Sequence, residues 1–405
     1  MLSLPRCFAA SAIVVVFALA VPTVVRGTPR PQLFPNTREG IHLAQVFNYL
    51  IPDPRTEIGK VDIVWGASAP IPQSVLNSYY IPFDRDGAAG PGHTLAWWRA
   101  HHPDWIEYKC DRKTVAFEFG EKNVPIDIAN SAVIAFQMTR EATPQLAAGY
   151  RGIAWDNVNL NNGFARCGHF ALGGKWVQQF TGNSQDPTYE AAVLQWAKTV
   201  LVDIHAYSNA VTMWINYSYD TSASYAMNLQ LYESTDLLLD ESGVTNYGQK
   251  RHNRPDPQTW ADIFHSVREA EKAGICYEMN GEEPFASPEI PTSERLWVVA
   301  NYLLFKGGCT YVSISGFSRN LHQQDYGRLL QYPEYGLPIG HSIGAPQRSG
   351  AAWLRNYSGG LAIVNPSARP VTVPLSQSYF DDDGNVVSGS VQLGPQSGTV
   401  LMTSL

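Results

Sequence analysis

Between residue 40 and about residue 316, short apolar runs alternate with longer stretches whose apolar residues recur at helical spacing. The short runs are His42 to Asn48, Val61 to Gly66, Trp105 to Cys110, Gly152 to Asp156, Ala210 to Asn216, Asp236 to Asp240, Ile275 to Met279 and Thr310 to Ser315. Helices are expected over Tyr189 to Tyr207, Ser222 to Tyr232, Pro257 to Ala273 and Thr292 to Phe305. Asp256-Pro257 supplies a cap followed by a proline in the first turn, and Thr292-Ser-Glu places an acid near a helix start. Gly274 and Gly307-Gly308 stand where a helix hands over to a strand.

Strand runs that are apolar on both faces and separated by helices belong to parallel sheets. Eight of them predict an α/β fold closed as a (β/α)8, or TIM, barrel. The stretch from Ala67 to Asp104 breaks the alternation with glycine and proline and reads as a long insertion after the second strand, on the face where barrel loops build sites. From Ala351 the pattern changes to short alternating runs punctuated by Asn365-Pro366, Asp383-Gly384 and Gly394-Pro395, which predicts a small C-terminal antiparallel β-sandwich. A linker is expected near Ile343 to Gly350. The resulting organisation is a signal peptide over 1–27, a catalytic barrel over 28–345 and a sandwich over 350–405.

A length of 405 residues suits a barrel of roughly 250 residues or more with an appendage. With 44% hydrophobic and 16% charged residues, general disorder is excluded. A net charge of −7, with no Lys/Arg-rich run, excludes nucleic acid as an expected partner. A basic start and an apolar run from Phe8 to Val21, short of the ~20 residues a membrane helix needs, predict a secretory signal cut after Ala20 or Gly27, the alternative being an uncleaved anchor. The expected location is secreted or periplasmic, with no integral membrane association once the signal is removed. Cys110, Cys167, Cys276 and Cys309 then remain, either as free thiols or as two disulfides in one of three pairings.

Catalytic side chains of a barrel come from the C-terminal ends of its strands. Those ends carry Asn48, Asp156, Asn157, Asn216, Asp240, Glu241, Glu278 and Ser315. Cleaving a glycosidic bond needs one acid to protonate the leaving oxygen and a second carboxylate to attack the sugar or to activate water. Asp156 closes an apolar run and is followed by Asn157, Asn159, Asn161 and Asn162, neutral donors suited to holding a nucleophile ionised; its other reading is a helix cap. Asp240 and Glu241 are adjacent, and alternation lets only one point inward. The longer reach of glutamate favours Glu241 as acid/base, with Asp240 as support or as the alternative acid. Asn48, Asn157, Asn216, Asp240 and Glu278 are expected to bind substrate hydroxyls. Trp65 and Tyr80, with Trp155, Tyr79 and Trp214, offer ring faces that stack on sugars or fill core. His101-His102 with Asp104 does not form a converging metal set, and neither a metal nor a cofactor is expected.

The phrases Gly152-Ile-Ala-Trp-Asp156-Asn-Val and Asp236-Leu-Leu-Leu-Asp-Glu241, with Thr212-Met-Trp-Ile-Asn216 between them, resemble strands four to six of the TIM-barrel hypothetical glycosyl hydrolases. More loosely they are similar to the alpha-galactosidase and alpha-amylase superfamily. The resemblance implies a retaining glycoside hydrolase acting on an oligo- or polysaccharide, with Asp156 as nucleophile and Glu241 as proton donor. Ala154 stands where an alpha-amylase-type arginine would precede the nucleophile. A catalytically inactive barrel that binds carbohydrate is the rival reading, because fold does not dictate function.

Overall fold

The computed structural model describes residues 28–47, 55, 58–71, 75–86, 92–245, 254–283, 285, 287–318, 323–324 and 331–404. Eight parallel strands form the barrel: β1 Ala44–Gln45, β2 Ile63–Val64, β3 Leu76–Pro82, β4 Gly152–Asp156, β5 Thr212–Asn216, β6 Leu237–Asp240, β7 Cys276–Glu283 and β8 Thr310–Ser318. They pair in chain order, and a parallel bridge between Leu43 and Val312 closes the cylinder, with Val312 N donating to His42 O at 3.0 Å. Helices α1 Leu95–His101, α2 Ser131–Gln137, α3 Thr143–Ala148, α4 Pro187–Tyr207, α5 Tyr225–Tyr232, α6 Pro257–Lys272 and α7 Thr292–Phe305 connect or flank them. The Asp256 carboxylate caps α6 by accepting from Gln258 N and Thr259 N, as its position before Pro257 predicts. No helix among the described residues is long and apolar enough to cross a membrane.

Strand alternation splits the apolar residues into two cores. Ala154, Trp214, Leu237, Leu239, Cys276 and Tyr311 fill the barrel, whereas Ile153, Trp155, Met213, Ile215, Leu238 and Val312 pack outward among the helices. Gly152 is glycine because a Cβ there would stand 2.9 Å from Trp214 Nε1. At the N-terminal mouth the turn at Pro31–Leu33 leads to Phe34, whose ring lies 5.8 Å from that of Trp214. Asp236 is fully buried there, accepting from Arg30 N at 2.9 Å and Met213 N at 2.8 Å beside His205; it anchors the floor of the barrel and does not face solvent. The disulfide Cys276–Cys309 joins the starts of β7 and β8.

The third barrel strand is Leu76–Pro82, and Trp105–Cys110 belongs to the insertion, which therefore follows β3 and not β2. Leu76–Pro82 is buried at nearly every position, as a strand covered on both faces must be, while Trp105 to Cys110 grows more exposed toward its end. The latter segment is still extended: Ile106 bridges Ile126, and Tyr108 bridges Val115 and Gly168, all antiparallel. With the pairs Arg85–Asp86 to Val124–Pro125 and Gly168–Phe170 to Trp176–Gln178, it builds a small β layer over the loops after β3 and β4. The disulfide Cys110–Cys167 ties these loops together.

The C-terminal unit comprises β9 Ser342–Ser349, β10 Ala352–Tyr357, β11 Gly360–Asn365, β12 Val371–Pro374, β13 Tyr379–Phe380, β14 Val386–Val387, β15 Ser390–Leu393 and β16 Ser397–Met402. Six of these form one antiparallel sheet in the order β9-β10-β11-β16-β13-β14, and β12 pairs with β15. One face, with Ala362, Val364, Val400 and Met402, joins the core around α7, and Tyr357 donates to Leu303 O at 2.6 Å. The other face packs Ala352, Leu361, Ile363 and Leu401 against Val373 and Leu393. The segment expected as a linker, 343–350, is the first strand of this sheet, because it pairs with β10 along most of its length.

Candidate active site

The inward phase of three adjacent strands determines what reaches the C-terminal mouth. On β4 it runs Gly152, Ala154, Asp156; on β5, Thr212, Trp214, Asn216; on β6, Leu237, Leu239 and then Glu241 just past the strand end. Each strand thus passes from an apolar inward residue, Ala154, Trp214 or Leu239, to a polar one at its last inward position. Asn216 Nδ2 donates to Asp156 Oδ1 at 2.8 Å and to Glu241 Oε2 at 2.6 Å, so one amide spans both carboxylates. Tyr80 of β3 donates its hydroxyl to Asp156 Oδ2 at 2.6 Å, and Asn157 Nδ2 reaches the same oxygen at 2.5 Å. Asn157 does so from a left-handed backbone, φ 59°, which turns the chain sharply after the strand.

Burial pushes the Asp156 carboxyl up from its ordinary value, against the hydrogen bonds from Tyr80 and Asn216 and the positive charge of Arg85. The donor geometry favours the ionised form, since both oxygens accept and the Asn groups present N–H. Hydrogen bonding by neutral neighbours, the expectation from the sequence, is therefore only half of the electrostatic balance here, with desolvation opposing it.

Asp240 lies on the opposite face of β6. It is fully buried, with Oδ1 accepting from Ser218 Oγ at 2.8 Å and Gly243 N at 3.0 Å, and Oδ2 from the Tyr277 hydroxyl at 3.1 Å. Burial pushes its carboxyl up to about 7. It fixes the turn that carries Glu241, a turn so tight that a Cβ on Gly243 would stand 2.7 Å from Asn280 O. Expected to touch substrate, Asp240 instead faces away from the mouth, because adjacent strand residues alternate.

Trp65, expected at the site, has 0% exposure and meets Phe47 and Tyr80 edge-on, so its ring has no free face for a sugar. Trp155 and Trp214 are equally buried, the former outside the barrel against Trp196, and Tyr79 packs edge-on against Tyr150. Glu278 points inward on β7 level with Leu239, below the mouth; neither of its oxygens has a hydrogen-bond partner, and burial pushes it well above the usual carboxylate range. Burial without partners disfavours its charged form, and at 0% exposure it lies in the barrel interior and not at the mouth where it was expected. Asn48 lies outside the described residues, as do residues 1–27 of the expected signal. His101 and His102 stack on Trp97 and Trp105, ring centroids 4.4 and 4.0 Å apart.

Two residues at the site were missed from sequence. Asn280, the next inward residue of β7, donates to Glu241 O at 2.9 Å and accepts from Ser313 and Ser315 at 3.0 Å each, so it positions the backbone of Glu241 from the neighbouring strand. Arg85 belongs to a buried network with Asp84, Glu118 and Arg166, and its charge acts on Asp156. Placing the third strand at Leu76–Pro82 would have put Phe83-Asp-Arg85 at a barrel mouth, where strand-end residues count as candidates.

No family model and no curated protein matches the chain. Among solved structures it is similar to Amy13B of Eubacterium rectale, with a TM-score of 0.50 and 9% identity over 92% of this chain and 97% of that one. It is likewise similar to a family GH13_31 enzyme, with a TM-score of 0.50 and 10% identity over 89% and 98% of the two chains. At such identities the likeness speaks for the fold, a TIM barrel carrying a C-terminal β domain.

Proposed function

We propose that the protein is an exported, retaining glycoside hydrolase acting on an oligo- or polysaccharide, with Asp156 as nucleophile and Glu241 as acid/base. The observation that carries the proposal is the Asn216 amide bonded to both carboxylates. Its two bonds laid end to end set an upper limit on the separation of those oxygens. So close an approach of the nearest oxygens supports a pair at the about 5 to 5.5 Å of retaining enzymes over one at the roughly 6.5 to 9.5 Å that leaves room for a water. Donors on both Asp156 oxygens support an ionised, attacking carboxylate. Glu241, half-buried at the mouth and held beside Asp156 by the shared Asn216 amide, stands where it can meet a leaving oxygen. Two disulfides are what an oxidising compartment permits, which supports export.

In the reaction so assigned, Glu241 gives its proton to the glycosidic oxygen as Asp156 attacks the anomeric carbon. Glu241, then ionised, takes a proton from water as that water displaces Asp156. The test is release of reducing ends or aryl alcohol across a glycan and aryl-glycoside panel. Turnover by the wild-type protein that Asp156→Asn abolishes is expected; binding of glycans with no turnover by the wild type would replace the proposal with a carbohydrate-binding barrel.

A further inference from the structure

The insertion holds a second polar cluster that this reaction does not use. Glu107, Asp127 and His169 come from three extended segments fixed by backbone pairing: Glu107 N donates to Pro125 O at 3.2 Å, Asp127 N to Trp105 O at 2.9 Å, and His169 pairs with Val177. One ligand atom from each lies within 4.8 Å of the others. Asp127 is well satisfied, accepting from Ala129 N at 2.9 Å and Gln179 Nε2 at 2.8 Å, and lies 3.4 Å from His169 Nδ1. Gln179 Oε1 stands 3.0 Å from that nitrogen as well, so one amide orients both side chains. Glu107 differs: it is 1% exposed, and neither of its oxygens has a hydrogen-bond partner. Arg166, whose charge also reaches Glu107, directs its NH2 group at Asp84 and Glu118.

A buried carboxyl group with two idle oxygens, beside a second carboxylate and an imidazole, has the chemistry of a divalent-cation ligand set. We propose that Glu107, Asp127 and His169 bind one divalent transition cation of the zinc or manganese class. Two carboxylates and a neutral imidazole balance a double positive charge. The imidazole argues against calcium or magnesium, which favour all-oxygen surroundings. Gln179 holds Asp127 and His169 in place, as the outer partners of metal ligands do. The partly exposed His169 marks the route of entry.

The site ties together the limbs that the Cys110–Cys167 disulfide also joins. Through Ile126 N donating to Asp84 O at 3.0 Å, it reaches the chain leaving β3 beside Tyr80. The cation thus stiffens the wall of the barrel mouth and takes no part in the chemistry.

The experiment strips the full-length exported protein with a chelator, then titrates it calorimetrically with zinc and with manganese and records thermal melts with and without each. About one equivalent is expected to bind, with a rise in Tm from linkage to the folded state; calcium is expected to do neither. Glu107→Gln, close to isosteric, and His169→Ala are expected to keep the stripped protein's melt and lose the metal response. No stoichiometric uptake by the wild type, or a response retained in both variants, overturns the site. Zinc absorption spectroscopy on the wild type needs no variant to fold: one imidazole nitrogen among oxygens at about 2.0 to 2.2 Å is expected, and a shell of several imidazoles or of sulfur overturns it.

Discussion

The last inward residues of β4, β5 and β6 are Asp156, Asn216 and, just past the strand, Glu241; one layer below, the same phase carries Ala154, Trp214 and Leu239. Backbone, register and neighbours are shared, yet one layer is polar and bridged by hydrogen bonds while the other is apolar. The lower layer is what closing a barrel requires. The upper layer contributes little to that closure, since buried carboxylates cost free energy even when bonded. On the proposed function its composition serves chemistry at the mouth, so the two layers should separate cleanly under mutation.

The largest effect expected is on turnover alone. Asp156→Asn and Glu241→Gln should each lower kcat/KM by roughly 10²- to 10⁴-fold or more on a substrate with a poor leaving group, with melts close to wild type. Activated aryl glycosides should spare Glu241→Gln far more than Asp156→Asn. A loss of Tm that tracks the loss of activity would erase the distinction between layers. Conversely, Leu239→Ala should cost about 2 to 5 kcal/mol in chemical denaturation by leaving a cavity, while the molecules still folded keep their kcat.

A subtler contrast lies within one dipeptide. Glu241 stands at the mouth, whereas Asp240, pushed up to about 7 by burial, belongs to the packed outer face of β6. Glu283, up to about 8, adds to the same effect. Because these folded values lie above the unfolded ones, the native state binds more protons between them. Stability is fully present below about pH 4 on this account and falls as pH rises through about 7 to 8, by up to about 1.4 kcal/mol per pH unit for each group. Denaturation midpoints at pH 5 and pH 8 check the sign, and Asp240→Asn should flatten the slope. The smallest effect expected is that of Tyr80→Phe, which removes one of the donors to Asp156 and should lower kcat several-fold, about 1 kcal/mol, with KM little changed.

The barrel was legible where its strands are apolar on both faces, as from β4 to β8. It was illegible at β3, whose Asn77, Ser78 and Pro82 read as loop. Inside the fold those polar groups are answered by neighbours: Asn77 donates to Ile71 O and Val75 O, and Ser78 to Val64 O. Local pattern does not reveal such partners. Trp105–Cys110 is extended, as its pattern says, but pairs in another sheet, and which sheet a segment joins is a long-range fact. At the candidate site, strand ends pointed to Asp156 and Glu241, which one amide joins, and alternation made Asp240 and Glu241 mutually exclusive. Depth along the strand was not encoded, so Trp65 and Glu278 were placed at the mouth although they lie beneath it. Arg85 was missed with β3 itself, and its influence on Asp156 depends also on the insertion that holds it.

Chemical rescue by azide tests the assignment of the two carboxylates most directly. On an activated aryl glycoside, Glu241→Ala should regain turnover and yield a glycosyl azide of retained configuration, because Asp156 still forms the glycosyl-enzyme and azide displaces it without base assistance. Asp156→Ala should yield the inverted azide, since the anion then attacks from the face the carboxylate vacated. A retained product from Asp156→Ala, or an inverted one from Glu241→Ala, would contradict the account.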